Sequence, residues 1–414
     1  MKQLQLDKKV AIIGGGPAGL MAAGKAGQRR LDTTVFEKNN ALCKKLLITG
    51  KGRCNITNNI DVEGLIDNIP GNGSFLYSSF YTFSNKDIID FFENNGLKTK
   101  VERGGRVFPV SDDANDVASI LSNYAKSNNV KVLFGTSLKE IITEKGSVKG
   151  LLLNNDKIFN CNSIVLATGG ASYPRTGSTG DGYAIAKHLG HTIISPKPSL
   201  VPLEIQEEWI RELQGLSLRN VSVTFTDKKG KKLYSDFGEM LFTHFGVSGP
   251  VILSGSSHIL SCNSKECKLT IDLKPALSEE KLYERVSRDF DLNSRKMFKN
   301  ALDDLLPQKL IPVIIKLSDI LPEKAVNQIT REEKRRLTML LKNLKLTVKG
   351  TRPISEAIVT SGGIATDEID PSTMESKIIK GLYFAGEIID VDGYTGGFNL
   401  TIAFSTGYMA GSNC

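Results

Sequence analysis

The chain has 414 residues, 40% hydrophobic and 24% charged, with 39 Gly against 14 Pro. That balance is globular and excludes intrinsic disorder and collagen-like architectures, and at about 100–200 residues per domain the length predicts two or three domains, each able to bury a core. The formal charge of +8 arises from 53 basic and 45 acidic residues that are interspersed, as in Arg331-Glu332-Glu333-Lys334-Arg335-Arg336, so no single-sign block calls for nucleic acid.

A basic excess of this kind suits an anionic ligand drawn into a cleft. Six cysteines (Cys43, Cys54, Cys161, Cys262, Cys267 and Cys414) are too sparse for a disulfide framework and form no CxxC pair, which predicts free thiols in a cytoplasmic protein. The apolar stretch Val10 to Ala23 is broken by glycines and is too short for a membrane span, so no export or transmembrane segment is expected.

Along the chain, Val10 to Ile13 reads as a buried strand, Gly14-Gly15-Gly16 as a turn, Pro17 to Gly27 as a small-residue helix and Thr33 to Glu37 as a second strand. These make one βαβ unit with parallel strands and a right-handed crossover. Gly14-x-Gly16-x-x-Gly19 satisfies the dinucleotide fingerprint, and Glu37 lies 37 − 19 = 18 residues past its last glycine, against about 20 expected. Gly14 permits the turn, and Gly16 admits a pyrophosphate to the helix amides beside Pro17 and Ala18. Gly19 lets helix and strand approach, and Glu37 is placed to accept hydrogen bonds from a ribose.

Beyond this unit, Lys44-Lys45 and the loop Thr49-Gly50-Lys51-Gly52-Arg53-Cys54-Asn55 combine flexible backbone with polar donors. There Arg53 offers a planar fork for phosphate oxygens, Lys45 a point charge and Asn55 a neutral donor and acceptor. Asp87 to Glu93 and Asn115 to Lys126 read as helices, and Val130 to Phe134 as a strand joining the first sheet. Ser163 to Ala167 is another buried strand, ending at Thr168-Gly169-Gly170, and a polar loop from Thr176 to Gly182 precedes a helix from Tyr183 to Leu189. Ser217 to Thr226 and Lys231 to Tyr234 flank Asp227-Lys228-Lys229-Gly230 as a hairpin of a small sheet or barrel, and Ser278 to Leu344 reads as a group of helices.

The last segment returns to α/β patterning. Leu382 to Gly386 is a buried strand carrying Glu387 at its end, and Gly396-Gly397-Phe398-Asn399 opens a helix to about Ala410. A ligand reaching from the first fingerprint to this region is long and permanently held, which favours FAD over a diffusing NAD. Glu387 then suits the ribityl chain, and the helix near Asn399 suits the pyrimidine carbonyl of the flavin.

The resulting architecture is α/β. A Rossmann-like FAD-binding domain spans 1–195 with 350–414, a β-barrel-like insertion 196–277 with about 340–349, and a small helical domain 278–339. The candidate cofactor set is Gly14, Gly16, Pro17, Ala18, Gly19, Glu37, Lys45, Thr49, Gly52, Arg53, Asn55, Ala167, Thr168, Gly169, Gly386, Glu387, Gly396, Gly397 and Asn399, completed by Lys38, Leu138 and Leu400.

With these motifs the chain resembles the aminoacetone oxidase-like family of FAD-binding proteins, which includes flavoproteins implicated in bile-acid double-bond reduction. The resemblance covers nearly the whole length. Besides the glycine fingerprint and the 49–55 loop it rests on Pro70-Gly71-Asn72-Gly73, Gly105-Arg106-Val107-Phe108-Pro109, Ala167 to Gly170, Tyr173 to Gly182, Leu241 to Pro250 and Gly386 to Asn399. It implies a split FAD domain with an inserted barrel-like and a helical domain. Many relatives carry a glycine where this chain has Lys51.

Three functions compete: a flavin oxidase or reductase, a flavin disulfide reductase, and a non-catalytic flavin protein. The disulfide reductase lacks a close cysteine pair, since Cys43 and Cys54 are separated by ten residues (44–53). No second fingerprint marks a nicotinamide domain, so NAD(P)H use needs a transient docking site and the preference leans to an amine oxidase producing hydrogen peroxide over an NAD(P)H-dependent ene-reductase. Tyr173, Arg175 and His244 are the candidate catalytic residues, with packing as their alternative role. His188, His191 and His258 lack metal-ligand spacing, so no metal is expected. The expected partner is a small-molecule substrate, in a pocket where the insertion covers the flavin, with the protein a monomer or homodimer and neither nucleic acid nor membrane engaged.

Overall fold

The computed structural model describes residues 8–259 and 267–414. They form two compact units, one running to Pro198 and resuming over Ile354–Cys414, the other Ser199–Pro353. Cys262 lies outside the described residues; the remaining five cysteines are buried free thiols. No described helix is long and apolar enough to cross a membrane.

The first unit is built on a parallel sheet. In chain order its elements are β1 (Lys9–Ile13), α1 (Pro17–Gln28), β2 (Asp32–Glu37), α2 (Ala114–Ser127), β3 (Lys131–Phe134), β4 (Ser163–Leu166), α3 (Asp181–His188), β5 (Leu382–Phe384) and α4 (Phe398–Asn413). The five strands lie in the order β5-β4-β1-β2-β3, and every pairing is parallel. Continuous apolar runs suit strands covered on both faces, and Val10, Ala11, Ile12, Ile164, Val165 and Leu166 are fully buried.

Strand β5 and helix α4, from the far end of the chain, complete this layer. Helix α4 packs on α1 through small residues: a Cβ at Gly407 would stand 2.4 Å from the Ala18 carbonyl oxygen, and one at Gly411 2.4 Å from that of Ala22. Two glycines four apart thus meet two alanines four apart, a spacing that puts each pair on one helix face. Arg29 Nη1 donates to the carbonyls of Gly411 at 3.0 Å and Cys414 at 2.9 Å.

Two small antiparallel sheets in this unit were not expected from the pattern. One joins Leu138–Glu144, Ser147–Leu153 and Ile158–Asn160. Its first turn, Lys145-Gly146, has φ of 50° and 74°, a type I′ geometry whose usual Asn-Gly or Asp-Gly signal is missing. The other sheet joins Thr57–Asn58, Thr99–Glu102 and Arg106–Pro109, strands of two to four residues that are too short to show alternation.

The second unit contains a closed six-stranded antiparallel barrel. Its strands are Leu203–Ile205, Ser217–Thr226, Lys232–Phe242, Gly246–Ser248, Lys268–Asp272 and Leu344–Thr351. The expected hairpin is present, but its second strand runs to Phe242 and not Tyr234, because its later residues pair back along Ser217 to Val223. The helices of the expected helical domain fall in this same compact unit. Helices Glu279–Leu292, Ile311–Ser318 and Arg331–Lys342 share one apolar core with the barrel, in which Val223, Phe225 and Leu269 join Leu282, Phe290, Phe298 and Leu337.

Candidate active site

The glycine turn after β1 is held by the acid at the end of β2. The Glu37 carboxylate accepts the Gly15 N–H at 2.7 Å through one oxygen, and the Asn39 N–H and Nδ2 at 2.8 and 2.7 Å through the other. Gly14 N donates to the Phe36 carbonyl at 2.9 Å, and Gly19 lies so close under Gly14 that a Cβ there would sit 1.9 Å from its carbonyl oxygen. A Cβ on Gly16 would meet no atom within 4 Å, so the approach to the start of α1 is open.

A second cluster forms around Glu387, just after β5. Lys45 Nζ lies 2.8 and 2.7 Å from its two carboxylate oxygens and donates to Ser172 Oγ at 2.7 Å. Ser172 Oγ and the Thr360 N–H also donate to Glu387, at 3.1 and 2.9 Å. Four segments distant in sequence therefore meet on one carboxylate. Downstream, α4 begins after Gly397, and the Asn399 side chain is tied to the Gly393 backbone at 2.9 and 2.7 Å. Leu400 is half-buried on the first turn of α4.

Helices α1, α3 and α4 start after glycines and have no side-chain cap, whereas Ser84, Asp113, Ser278 and Thr330 cap the helices that follow them. Open first-turn amides together with the helix dipole suit phosphate and carbonyl oxygens. Two buried side-chain oxygens from the expected set, Asn55 Oδ1 and Thr168 Oγ1, have no partner, as groups reserved for a ligand would. Both observations fit an elongated dinucleotide. Ala167 continues β4, its N–H bonding to the Ile13 carbonyl at 2.9 Å, and Gly169 and Gly386 turn the chain after β4 and β5 at φ of 75° each.

Several expected contacts are different. Arg53 does not present a free fork to phosphate: its guanidinium pairs with Glu102 and Asp112 and lies 4.1 Å over the Phe108 ring. These ion pairs hold both carboxyls below the usual range, Glu102 chiefly through Arg53 and Asp112 through Lys100 and then Arg53. Lys45, expected as a free point charge, is neutralised by Glu387. Lys38 bridges to Asp181 at 2.8 Å and Thr179 at 2.7 Å. Thr49 Oγ1 turns back to the Leu46 carbonyl at 2.7 Å, Gly52 lies in the left-handed region, and Leu138 packs against the core of the first unit.

Lys51 adopts φ 61° and ψ 39°. A left-handed non-glycine residue costs about 1–2 kcal/mol, partly offset by the flexibility that a glycine adds to the unfolded chain. Lys51→Gly is therefore expected to stabilise the protein by about 0.5 kcal/mol, read as a higher urea midpoint.

The three candidate catalytic residues are not brought together within either unit. Tyr173 takes a left-handed backbone conformation before Pro174, and burial, helped by the charge of Glu356, pushes its phenol up. Arg175 is exposed two residues further on. His244 belongs to the second unit, exposed at the tip of the turn Thr243-His244-Phe245, edge-on to Phe245. Sequence reading missed Asn39, Ser172 and Thr360; they are ordinary polar residues, and no spacing rule links them to their acids. Among the described residues no group of acidic, histidine or cysteine side chains could hold a metal ion.

The chain is 32% identical to the 3-dehydro-bile acid delta(4,6)-reductase of Clostridium scindens, over 97% of this chain and 98% of that protein. It is also 32% identical to a Haemophilus influenzae protein named ribosomal RNA dihydrouridine synthase, over 96% of each. Among solved structures, the 3-ketosteroid delta1-dehydrogenase of Sterolibacterium denitrificans shares the fold with a TM-score of 0.53 at 13% identity, covering 98% of this chain and 99% of that one. The family described as HI0933-like protein Rossmann domain matches residues 8–413. With its Rossmann sheet, open helix starts and unpartnered buried oxygens, the chain belongs to this FAD-dependent oxidoreductase family.

Proposed function

We propose that the protein is an ene-reductase: it saturates a carbon–carbon double bond conjugated to a carbonyl, with FAD recharged by NAD(P)H. One observation carries this reading. Two relatives with different names, each 32% identical over nearly the full length, share a bond change. A delta(4,6)-reductase of a 3-dehydro acid and the formation of dihydrouridine both add a hydride and a proton across a double bond that leads to a carbonyl. The amine oxidase preferred from sequence alone has no comparable support.

FAD, when bound, supplies the hydride. The chain's residues do the rest. Glu37 would hold the adenosine ribose, Glu387, fixed by Lys45, Ser172 and Thr360, would meet the ribityl chain, and the open amides of α4 would stabilise negative charge at the far end. Tyr173 and Arg175 are proposed to orient the substrate carbonyl.

The substrate we favour is a small unsaturated carbonyl compound. The relatives named for ribosomal RNA favour a second reading in which the conjugated unit is a uridine in RNA. Anaerobic stopped-flow absorbance distinguishes these. NADH or NADPH is expected to bleach the flavin, and an unsaturated 3-oxo-steroid to restore its colour and gain two hydrogens. Restoration by a uridine-containing RNA alone selects the second reading, and bleaching by aminoacetone but not by either nicotinamide overturns the proposal.

A further inference from the structure

Adding a hydride to a conjugated double bond leaves a carbanion equivalent at the α-carbon that must take a proton. The segment after β5 holds an acid that the cofactor cradle does not use. Asp390 lies between Glu387 and the Gly396-Gly397 turn, at the flavin end of the expected cofactor path. Two amides of one strand, Val359–Ile364, reach the two acids: the Thr360 N–H bonds to Glu387 at 2.9 Å and the Gly362 N–H to Asp390.

The second clamp comes from Pro70-Gly71-Asn72-Gly73, a motif that the cofactor cradle leaves without a role. Asn72 Nδ2 donates both to the Asp390 carbonyl and to its Oδ2, each at 2.9 Å. The Asp390 N–H is bonded to the Ile364 carbonyl at 3.0 Å, so backbone and side chain are both held. No cation among the described ion pairs faces this carboxyl, unlike Glu387 with Lys45.

We propose that Asp390 is the proton donor to the α-carbon, and that Asn72 is the residue that positions it; this rests on the ene-reductase reading above. The Asp390 O–H bond breaks and its proton goes to the α-carbon, as the β-carbon gains the hydride that bound FAD would supply. The carboxylate left behind is reprotonated from water, and NAD(P)H restores the reduced cofactor. Burial pushes the Asp390 carboxyl up, against the opposing pull of Asn72 and Gly362, which favours a retained proton. The titratable group that feels its charge is Tyr183 of α3. The Tyr183 phenol is raised by burial and by both acids and is bonded to the Glu387 carbonyl at 3.4 Å, which makes it a much weaker acid than Asp390.

The test uses holoprotein reduced anaerobically by NADPH and mixed with whichever conjugated substrate, the 3-oxo-steroid or the uridine RNA, reoxidises the wild type. Asp390→Asn is expected to keep its FAD and to be bleached by NADPH, but to be reoxidised roughly a hundredfold more slowly, with Asp390→Glu recovering much of the rate. Wild-type reoxidation is expected to slow as pH rises through the Asp390 pKa. In Asn72→Ala this fall moves to higher pH, because the lost hydrogen bond favoured the charged form; in Asp390→Asn it disappears. A carboxylic acid band in pH-difference infrared spectra of the resting holoprotein, absent in Asp390→Asn, gives a readout without turnover. Equal reoxidation rates for wild type and Asp390→Asn, an unmoved Asn72→Ala profile, or no such infrared band overturns the assignment. If no conjugated alkene reoxidises the wild type, the ene-reductase reading itself falls, and this assignment with it.

Discussion

Glu37→Ala is expected to strip the protein of FAD. The carboxylate bonds Gly15 through one oxygen and Asn39 twice through the other, so it shapes the glycine turn and keeps one acceptor position for the proposed ribose contact. Hydrogen bonds to a charged group contribute about 1.5–3 kcal/mol each, so losing the ribose contact and loosening the turn should weaken FAD binding by about 3 kcal/mol, or roughly two orders of magnitude. Glu37→Gln should fall between, because its amide can still accept the Gly15 N–H but turns a donor toward donors. Fluorescence titration of the apoprotein with FAD measures this, and full cofactor content in dialysed Glu37→Ala would remove the ribose role from Glu37.

Gly407→Val is expected to loosen the junction between the two ends of the chain. Any side chain there meets the Ala18 backbone, which cannot move away without shifting α1 and with it the open amides that follow Gly16. Overpacking of this kind costs about 1–3 kcal/mol or more, and the value here should lie near the top because the neighbour is backbone. A lowered urea midpoint together with reduced FAD retention is the expected pair of results. A stable variant with unchanged FAD content would mean that α4 contributes nothing to the cofactor site through α1.

The parts of this protein that were legible in the sequence are those whose physics is local. The β1–α1–β2 unit announces itself because a buried strand, a glycine turn and a small-residue helix each leave a pattern within a few residues, and the acid at the end of β2 is placed by strand length. The start of α4 was legible for the same reason: paired glycines before an apolar small-residue run make an uncapped helix. The five-stranded sheet could be assembled from separate apolar runs, since buried parallel strands need continuous hydrophobicity.

What only the tertiary structure decided is which polar groups meet. Arg53 and Lys45 read as phosphate ligands because an isolated cation beside flexible backbone looks available. The fold instead places Glu102 and Asp112 against Arg53 and Glu387 against Lys45, and charges this close pair before they bind anything else. The merging of barrel and helices into one core was likewise hidden, because an amphipathic helix records that it has a buried face but not what covers it. Asn72 and Asp390 stand 318 residues apart, and a hydrogen bond between ordinary polar side chains has no periodicity to betray it. Short-range pattern sets the elements and the cofactor fingerprint, while the clusters around Glu387 and Asp390 depend on long-range contacts that exist only once the chain ends close on each other.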